Sequence, residues 1–250
     1  MAVTTRYRSL RVWNLALGFL HAAQGAVVLV LANAFALPVT GSFLQGPPGT
    51  APGRPDVLFE VRIAWGVAAF LFLSSAAHWL LAVPAVERWY RRNLDQGRNY
   101  ARWIEYSLSA SVMVVLIAMI TGISDVAALT ALFGVNAAMI FFGLIQERYE
   151  RPGGSLLPFW LGSLVGAVPW VAIGIYLWAP GSAAEPPGFV YGIYVSLFLF
   201  FNVFAVNQWL QYRQKGKWRD YLVGERTYMI LSLTAKSALA WQVFASTLAG

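Results

Sequence analysis

The sequence contains no cysteine, few charged residues and only two histidines. Without cysteine, disulfide bonds and thiol chemistry are excluded. Charged residues make up 12% of the 250 positions and hydrophobic residues 58%. A soluble domain needs more charge than this to cover its surface, so the composition indicates an integral membrane protein. Two histidines without cysteines, paired carboxylates or HExxH spacing do not form a metal motif, and we expect no metal site.

Seven apolar stretches are long enough to cross a bilayer, which takes about 20 residues per helix. They cover residues 13–34, 61–83, 100–122, 126–146, 156–178, 188–210 and 227–248, approximately. Because little chain is left over, we expect a single all-α membrane domain over residues 1–250, a bundle of seven helices.

One connection is long, residues 37–60. Its turn-rich centre, "GPPGTAPG", lies between "VTGSFLQ" and "DVLFEV", which predicts a small β-hairpin in the first external loop.

Basic residues are distributed very unequally between the two sides of these spans. Fifteen of the 18 lysines and arginines lie on the side of the N-terminus, Arg54 and Arg62 lie on the other, and Lys236 lies within a span. The positive-inside rule places the N-terminus in the cytoplasm and, after seven crossings, the C-terminus outside the cell. This topology accounts for the net charge of +7. A nucleic-acid partner is therefore not expected.

Lys236 lies near the middle of the last span, in "LSLTAKSALAWQVF". Its Cα is about 15 Å from the cytoplasmic end of the helix, at 1.5 Å per residue, which is too deep for the ammonium group to reach the interface. A lysine at this depth costs at least about 2.5–3.5 kcal/mol on insertion. Two interpretations remain at this point: a buried ion pair, or a lysine joined to a carbonyl ligand as a Schiff base.

Glu105, in "RWIEYSLSAS", is the acid best placed to pair with Lys236. The alternative is an interfacial Glu105 that pairs with Arg102, three residues earlier on the same helix. Ser109 follows Glu105 by four residues and Ser232 precedes Lys236 by four, so each hydroxyl shares a helix face with its charged neighbour.

Further polar side chains fall at a similar depth in other spans. Any one of them is explained by a hydrogen bond between helices, but together with the lysine and the glutamate they indicate one hydrated pocket. They are His21, Gln24, Ser74, His78, Asn136 and Gln208.

Four segments resemble the heliorhodopsins, a family of microbial rhodopsins with inverted membrane topology. They are "RWIEYSLSASVMVVLIAMITGISD", "NAAMIFFG", "FNVFAVNQWLQY" and "LSLTAKSALAWQVF". The resemblance extends over the whole chain, including the long first loop. The cytoplasmic N-terminus, derived above from charge, is that family's distinguishing orientation.

The resemblance implies a role for each candidate residue. Lys236 would carry all-trans retinal as a protonated Schiff base, and Glu105 would be its counterion. Ser232 would form a hydrogen bond near the Schiff base. The residues that would bind the retinal polyene are Ser109, Asn136, Met139, Trp160, Phe201, Gln208 and Trp241. The residues that would line a polar cavity and include the candidate proton acceptors are His21, Gln24, Ser74 and His78. Family members are dimers, so we expect a homodimer in membrane lipid.

The function predicted from these residues is that of a photoreceptor with a slow photocycle, and not of an enzyme. Light-driven proton pumps typically carry a second carboxylate four residues before the lysine, where this chain has Ser232. A light-driven ion pump or light-gated proton channel is the first alternative, and a non-retinal transporter or receptor with a structural Lys236–Glu105 pair is the second. The basic cytoplasmic loops, with "RRNLDQGR" and "RQKGKWRD", are explained by the positive-inside rule, and docking of a soluble signalling partner of unknown identity is the alternative.

Overall fold

A computed structural model describes residues 2–51, 53–178, 183 and 185–248. The side chains of Arg6 and Arg8, two of the basic residues on the N-terminal side, lie outside the described part of the chain. The elements in chain order are α1 (Ala2–Leu31), β1 (Ala36–Gly41), β2 (Asp56–Arg62), α2 (Ile63–Ala82), α3 (Pro84–Leu94), α4 (Tyr100–Ile120), α5 (Val126–Tyr149), α6 (Leu157–Trp178), α7 (Gly188–Tyr212) and α8 (Tyr221–Val243). A 3₁₀ turn (Gly216–Arg219) precedes α8 and a π-helical turn (Phe244–Leu248) follows it.

The predicted class, a mostly helical membrane bundle with a small hairpin, is confirmed. In the described part of the chain, six helices have the length and hydropathy to span a membrane: α1 (from Ser9), α2, α4, α5, α6 and α7. The eighth, α8, has 23 residues but carries Glu225, Arg226 and Lys236, which lower its hydropathy. It packs against α7 along the bundle, and a seventh membrane span at α8 remains a prediction of the sequence.

Helix ends are defined by side-chain caps at three of the spans. The Asn99 side chain accepts a hydrogen bond from the backbone N–H of Arg102 at the start of α4. Asp125 accepts from the N–H groups of Ala127 and Ala128 at the start of α5, and Asp220 from that of Leu222 at α8. These caps satisfy N–H groups that the first helical turn leaves unpaired.

The hairpin lies between α1 and α2, as the turn-rich loop predicted. Strands β1 and β2 are antiparallel, with Ala36 opposite Arg62 and Val39 opposite Phe59, and a bulge follows Val39. The Thr40 N–H donates to the Ser124 carbonyl at 2.8 Å, which ties the hairpin to the turn before α5. We call this end of the bundle the hairpin end.

The opposite end carries α3, an amphipathic helix in the segment between the second and third predicted spans, where no helix was predicted. Pro84 occupies its first turn, a position that proline favours. Tyr90 and Leu94 are buried against the bundle, whereas Arg88 and Arg92 are exposed. The residues of α3 therefore alternate with a helical period between a packed and an exposed face. We call this end the α3 end.

The two halves of the bundle differ in polarity. The larger apolar cluster occupies the hairpin end and includes the fully buried Val67, Ile117, Leu239 and Val243. Buried polar side chains concentrate from the depth of Lys236 toward the α3 end. Helices α1, α2, α4, α5 and α6 pack on one another in sequence, and α7 packs mainly on α8.

Candidate functional site

Lys236 forms an ion pair with Glu105 in the interior of the bundle. The Lys236 Nζ donates to Glu105 Oε1 at 2.8 Å and to Ser232 Oγ at 3.0 Å. The lysine side chain is 3% exposed and that of the glutamate 10%. The hydroxyl of Ser74, on α2, donates to the same carboxylate oxygen at 2.6 Å. A buried charge pair needs such additional hydrogen bonds to offset its desolvation.

Helix periodicity accounts for these positions. Ser232 lies one turn before Lys236 on α8, so its hydroxyl faces the amine. Ser109 lies one turn after Glu105 on α4 and is fully buried. The Lys236 Nζ also lies 5.1 Å from the centre of the Tyr106 ring, within the range of a cation–π contact. The amine is therefore surrounded by one anion, one hydroxyl and one aromatic face.

The two histidines lie beside this pair. The rings of His21 and His78 are stacked, with centroids 5.7 Å apart. The Nδ1 of His78 is 2.8 Å from the Asn14 side-chain oxygen. His21 is fully buried, and within the described residues neither of its ring nitrogens has a hydrogen-bond partner. An unpaired buried imidazole is costly unless water reaches it.

A cavity of about 290 Å³ opens next to Lys236, between α4, α5, α6, α7 and α8. This volume is close to the lower end of the usual range for ligand pockets, about 300–1,000 Å³. Ser232 and Lys236 are among its few polar residues, and its apolar walls include Tyr106, Met139, Gly166, Trp170 and Phe201.

Aromatic rings and glycines give the cavity its shape. The Trp170 ring meets the Phe201 ring edge-on at 5.3 Å and the Phe198 ring at 5.4 Å. A Cβ at Gly162 or Gly166 would come within 2.8 Å of Phe142 or Met139 atoms on α5, so glycine allows the close approach of α6 to α5. Rigid rings on one side and a lysine on the other suit a flat, apolar, carbonyl-bearing ligand.

The predicted lining residues occupy different places. Met139, Phe201, Gln208, Ser232 and Lys236 line the cavity. Asn136 is buried in α5, where its amide donates to Ser111 Oγ at 3.0 Å.

Three further predicted residues lie on the outside of the bundle or near it. Trp160 is 57% exposed and Trp241 39% exposed. The Trp241 indole donates to the Gln24 side chain at 3.0 Å, and Gln24 itself donates to the Leu20 carbonyl. Neither tryptophan is among the residues that line the cavity.

Some site residues were not predicted. Trp103 and Tyr228 line the cavity, and the dense aromatic content of the spans was their only signal. Arg102 does not pair with Glu105, as the interfacial alternative required. It pairs instead with Glu147 and Glu225, and all three side chains are at most 3% exposed. The two acids lie just outside the predicted spans, which is why hydropathy placed them in loops.

Solved structures show the same architecture. The transmembrane domain of a rhodopsin phosphodiesterase from Salpingoeca rosetta matches with a TM-score of 0.68 and 12% identity, covering 98% of this chain and 87% of that one. The structure of that transmembrane domain with its linker region gives 0.66 and 10%, covering 94% and 70%. The chain therefore has the fold of a rhodopsin transmembrane domain, with a buried lysine inside the bundle.

The family follows from the sequence. A sequence model of the heliorhodopsins matches residues 10–248, and the chain belongs to the heliorhodopsin family. No curated protein has a significant match to it. Heliorhodopsins are retinal-binding microbial rhodopsins. The residues present fit that chromophore, because a buried amine with a single carboxylate partner ends in a cavity walled by aromatic rings.

Proposed function

We propose that this protein is a light sensor in which all-trans retinal is joined to Lys236 as a protonated Schiff base. Retinal supplies absorption of visible light and a light-driven change of shape. Glu105 stabilises the positive charge on the Lys236 nitrogen, because an anion within hydrogen-bond distance favours the charged form. Ser74 and Ser232 hold that carboxylate and that nitrogen in position by bonds of 2.6 and 3.0 Å. The walls around Trp170 and Phe201 are apolar and would offer water few hydrogen-bond partners in the rest of the cavity.

The polarity difference between the two halves of the bundle supports a sensor over a pump. A pump needs proton-carrying groups on both sides of the lysine. Among the described residues, the buried carboxylates other than Glu105 are Glu87, Glu147 and Glu225, which lie toward the α3 end, like Arg102. The hairpin end is filled by apolar side chains such as Val67 and Leu239. A proton that leaves the Lys236 nitrogen therefore finds acceptors on one side, beginning with the His21–His78 pair.

The proposed function includes an orientation of the protein in the membrane and an oligomeric state. The distribution of arginine and lysine favours a cytoplasmic N-terminus, so that the α3 end faces the cytoplasm. Membership of the heliorhodopsin family favours a homodimer in membrane lipid, and the basic cytoplasmic loops are the surface at which a soluble signalling partner would bind. We propose that the chain is itself without enzymatic activity. The Salpingoeca rosetta neighbour is a rhodopsin phosphodiesterase, so coupling of this membrane fold to an enzyme is a second form that the signal can take.

The test is the pH of an unbuffered suspension of retinal-supplied cells under illumination, with and without a protonophore. We expect coloured cells and no protonophore-sensitive pH change. The Lys236→Ala variant is the control and should give colourless cells, because it lacks the amine that binds retinal. A light-driven shift abolished by the protonophore would support the pump or channel alternative. A Lys236→Ala protein that remained coloured would overturn the Schiff-base role of Lys236, and a wild-type protein that stayed colourless with retinal would favour the non-retinal alternative.

A further inference from the structure

Arg102 lies between two carboxylates deep in the α3 end of the bundle. Its guanidinium binds Glu147 of α5 through one terminal nitrogen and Glu225 of α8 through the other. It also lies over the ring of Tyr228, 4.0 Å from the ring centre. The cluster therefore contains one cation and two acids. Because buried charges are tolerated only when balanced, one of the two carboxylates is in excess.

Glu147 is the carboxylate that is fully satisfied as an anion. Its Oε2 accepts from the Asn99 N–H at 2.9 Å and from the Trp103 indole at 2.6 Å. Its Oε1 accepts from Arg102 and from the Tyr221 hydroxyl. Four donors occupy the approximately four lone-pair positions of a carboxylate. Glu147 is thus the fixed partner of Arg102.

Glu225 is the carboxylate with spare capacity. Its Oε1 accepts from the Tyr90 hydroxyl at 3.1 Å and from the Asn99 amide at 2.7 Å. Its Oε2 accepts from Arg102. Three donors leave one lone pair on Oε2 without a donor among the described residues. That position is open to a proton.

A small cavity connects Glu225 with the site at Lys236. It measures about 30 Å³ and is lined by Ser74, His78 and Glu105 at one end and by Tyr90 and Glu225 at the other. A cavity of roughly 10–15 Å³ or more holds a water molecule when two to four polar groups surround it. Water in this cavity would have both the counterion Glu105 and the excess carboxylate Glu225 among the polar groups that line it.

We propose that Glu225 is a proton-binding site of the light reaction, the group on which the proton from the Lys236 nitrogen comes to rest. This inference depends on the proposed light-sensing function. The proton leaves the nitrogen, crosses the His78-lined cavity by way of water and binds Glu225 Oε2, and it returns by the same path. Both ends of the path lie on one side of the apolar hairpin end, so no net charge crosses the membrane.

Protonation of Glu225 changes what Arg102 binds. A neutral carboxyl attracts the guanidinium less than an anion does, which leaves Glu147 as the only full ion-pair partner and weakens the link from α4 to α8. Titratable and polar groups face Glu225 from each element packed around it. They are Tyr90 of α3, the α4 cap residue Asn99, Arg102 of α4, Glu147 of α5 and Tyr228 of α8. The signal then reaches α3, whose Tyr90 is bonded to the same carboxylate.

The test is a light-minus-dark infrared difference spectrum of the retinal-bound protein, with glutamate carboxyl groups labelled with ¹³C. We expect a carboxylic-acid C=O band that appears after the flash, shifts with the label, is lost in Glu225→Gln and is kept in the control variant Glu87→Gln, whose carboxylate pairs with Arg91 outside the Arg102 cluster. A band that persists in Glu225→Gln would overturn the inference. A protein that forms no pigment with retinal in the wild-type chain would instead overturn the proposed function.

A second measurement needs no retinal. During acidification of the retinal-free protein, we expect a buried carboxyl to take up a proton first in the wild type and in Glu87→Gln, and that step to be lost in Glu225→Gln. If Glu225→Gln does not fold, Tyr90→Phe is the substitute, because it removes one of the three donors to Glu225. The C=O band should then shift in frequency, and an unshifted band would overturn the assignment.

Discussion

At the scale of single residues, Lys236 is stable in the membrane interior because its charge is neutralised within the bundle. Glu105 and Ser232 provide its hydrogen bonds and the ring of Tyr106 covers one side of the amine. The same contacts hold the nitrogen at the end of a cavity, where it is available to a carbonyl ligand. Charge neutralisation and ligand attachment are thus separate properties of one side chain.

Substitutions at the ion pair separate these two properties. We expect Glu105→Gln to lower the stability of the retinal-free protein by about 3–5 kcal/mol, because it leaves a buried cation without its partner. The double variant Glu105→Gln/Lys236→Met should recover most of this loss. Thermal unfolding in detergent measures both effects.

Pigment formation in the same variants is the complementary measurement. The double variant should be stable and yet remain colourless with retinal, because stability needs charge balance whereas colour needs the amine. A double variant as unstable as Glu105→Gln would contradict the claim that the loss comes from the unpaired cation, and the Lys236→Met single variant completes the cycle that gives the coupling energy.

At the scale of elements, α5 shows how a helix can be adapted differently along its length. A Cβ at Gly143 would lie 2.4 Å from the Trp103 ring, whereas a Cβ at Gly134 would have nothing within 4 Å. Gly143 therefore allows α4 and α5 to approach closely and keeps the Trp103 indole at Glu147. Gly134, in the same helix, has no such packing role.

These two glycines form a matched pair for substitution by alanine. We expect Gly143→Ala to destabilise the protein by about 1–3 kcal/mol through overpacking and to change the fluorescence of Trp103. Gly134→Ala should be neutral or stabilising by up to about 1 kcal/mol, because alanine favours the helix. The measurement is unfolding in detergent, and similar effects at both positions would contradict the packing argument.

The connecting helix α3 is anchored by a buried tyrosine. Burial, together with the nearby charge of Glu225, raises the pKa of Tyr90 well above its ordinary value. The folded protein thus keeps a proton that the unfolded chain loses above about pH 10. Stability from this group is complete below that pH and is lost as the pH rises toward the folded-state pKa.

Tyr90→Phe removes this contribution to the pH dependence. Above pH 10, we expect the free energy of unfolding to fall less steeply in the variant than in the wild type, by about 1.4 kcal/mol per pH unit, the slope for one proton. Chemical unfolding at a series of alkaline pH values measures it. Identical slopes would mean that Tyr90 ionises alike in the folded and unfolded chains.

At the scale of the whole molecule, the two ends of the bundle have different chemistry. The hairpin end is apolar inside, and the α3 end contains the histidine pair, the Arg102 cluster and most of the basic residues. In the proposed function, light absorbed at Lys236 is connected by polar groups to one surface of the membrane. A sensor needs this asymmetry, because its output is read on one side.

The proposed orientation can be measured with single cysteines, since the natural chain has none. We expect Ala51→Cys, in the exposed loop of the hairpin, to react with a membrane-impermeant thiol reagent on intact cells. Gln96→Cys, exposed after α3, should react only after the cells are permeabilised. The reverse pattern would place the N-terminus outside and overturn the proposed topology.

Much of the fold and the centre of the site follow from the sequence alone. Hydropathy and length determine the membrane spans, because a bilayer accepts only long apolar helices. The turn residues of the first loop determine the hairpin. Lys236 and Glu105 stand out because ionisable groups within a membrane are expensive and rare. For each of these features, the physical cause acts over a short stretch of chain.

Only the tertiary structure decided which side chains meet. Trp160, Trp170 and Trp241 are all tryptophans in apolar segments. Of these three, only Trp170 lines the cavity, because the rotation of each helix is set by its neighbours. Glu147 and Glu225 lie 78 residues apart in sequence, and Arg102 joins them only when α4, α5 and α8 pack together. Local pattern determines what a segment forms, whereas the balance of buried charge depends on contacts between distant segments.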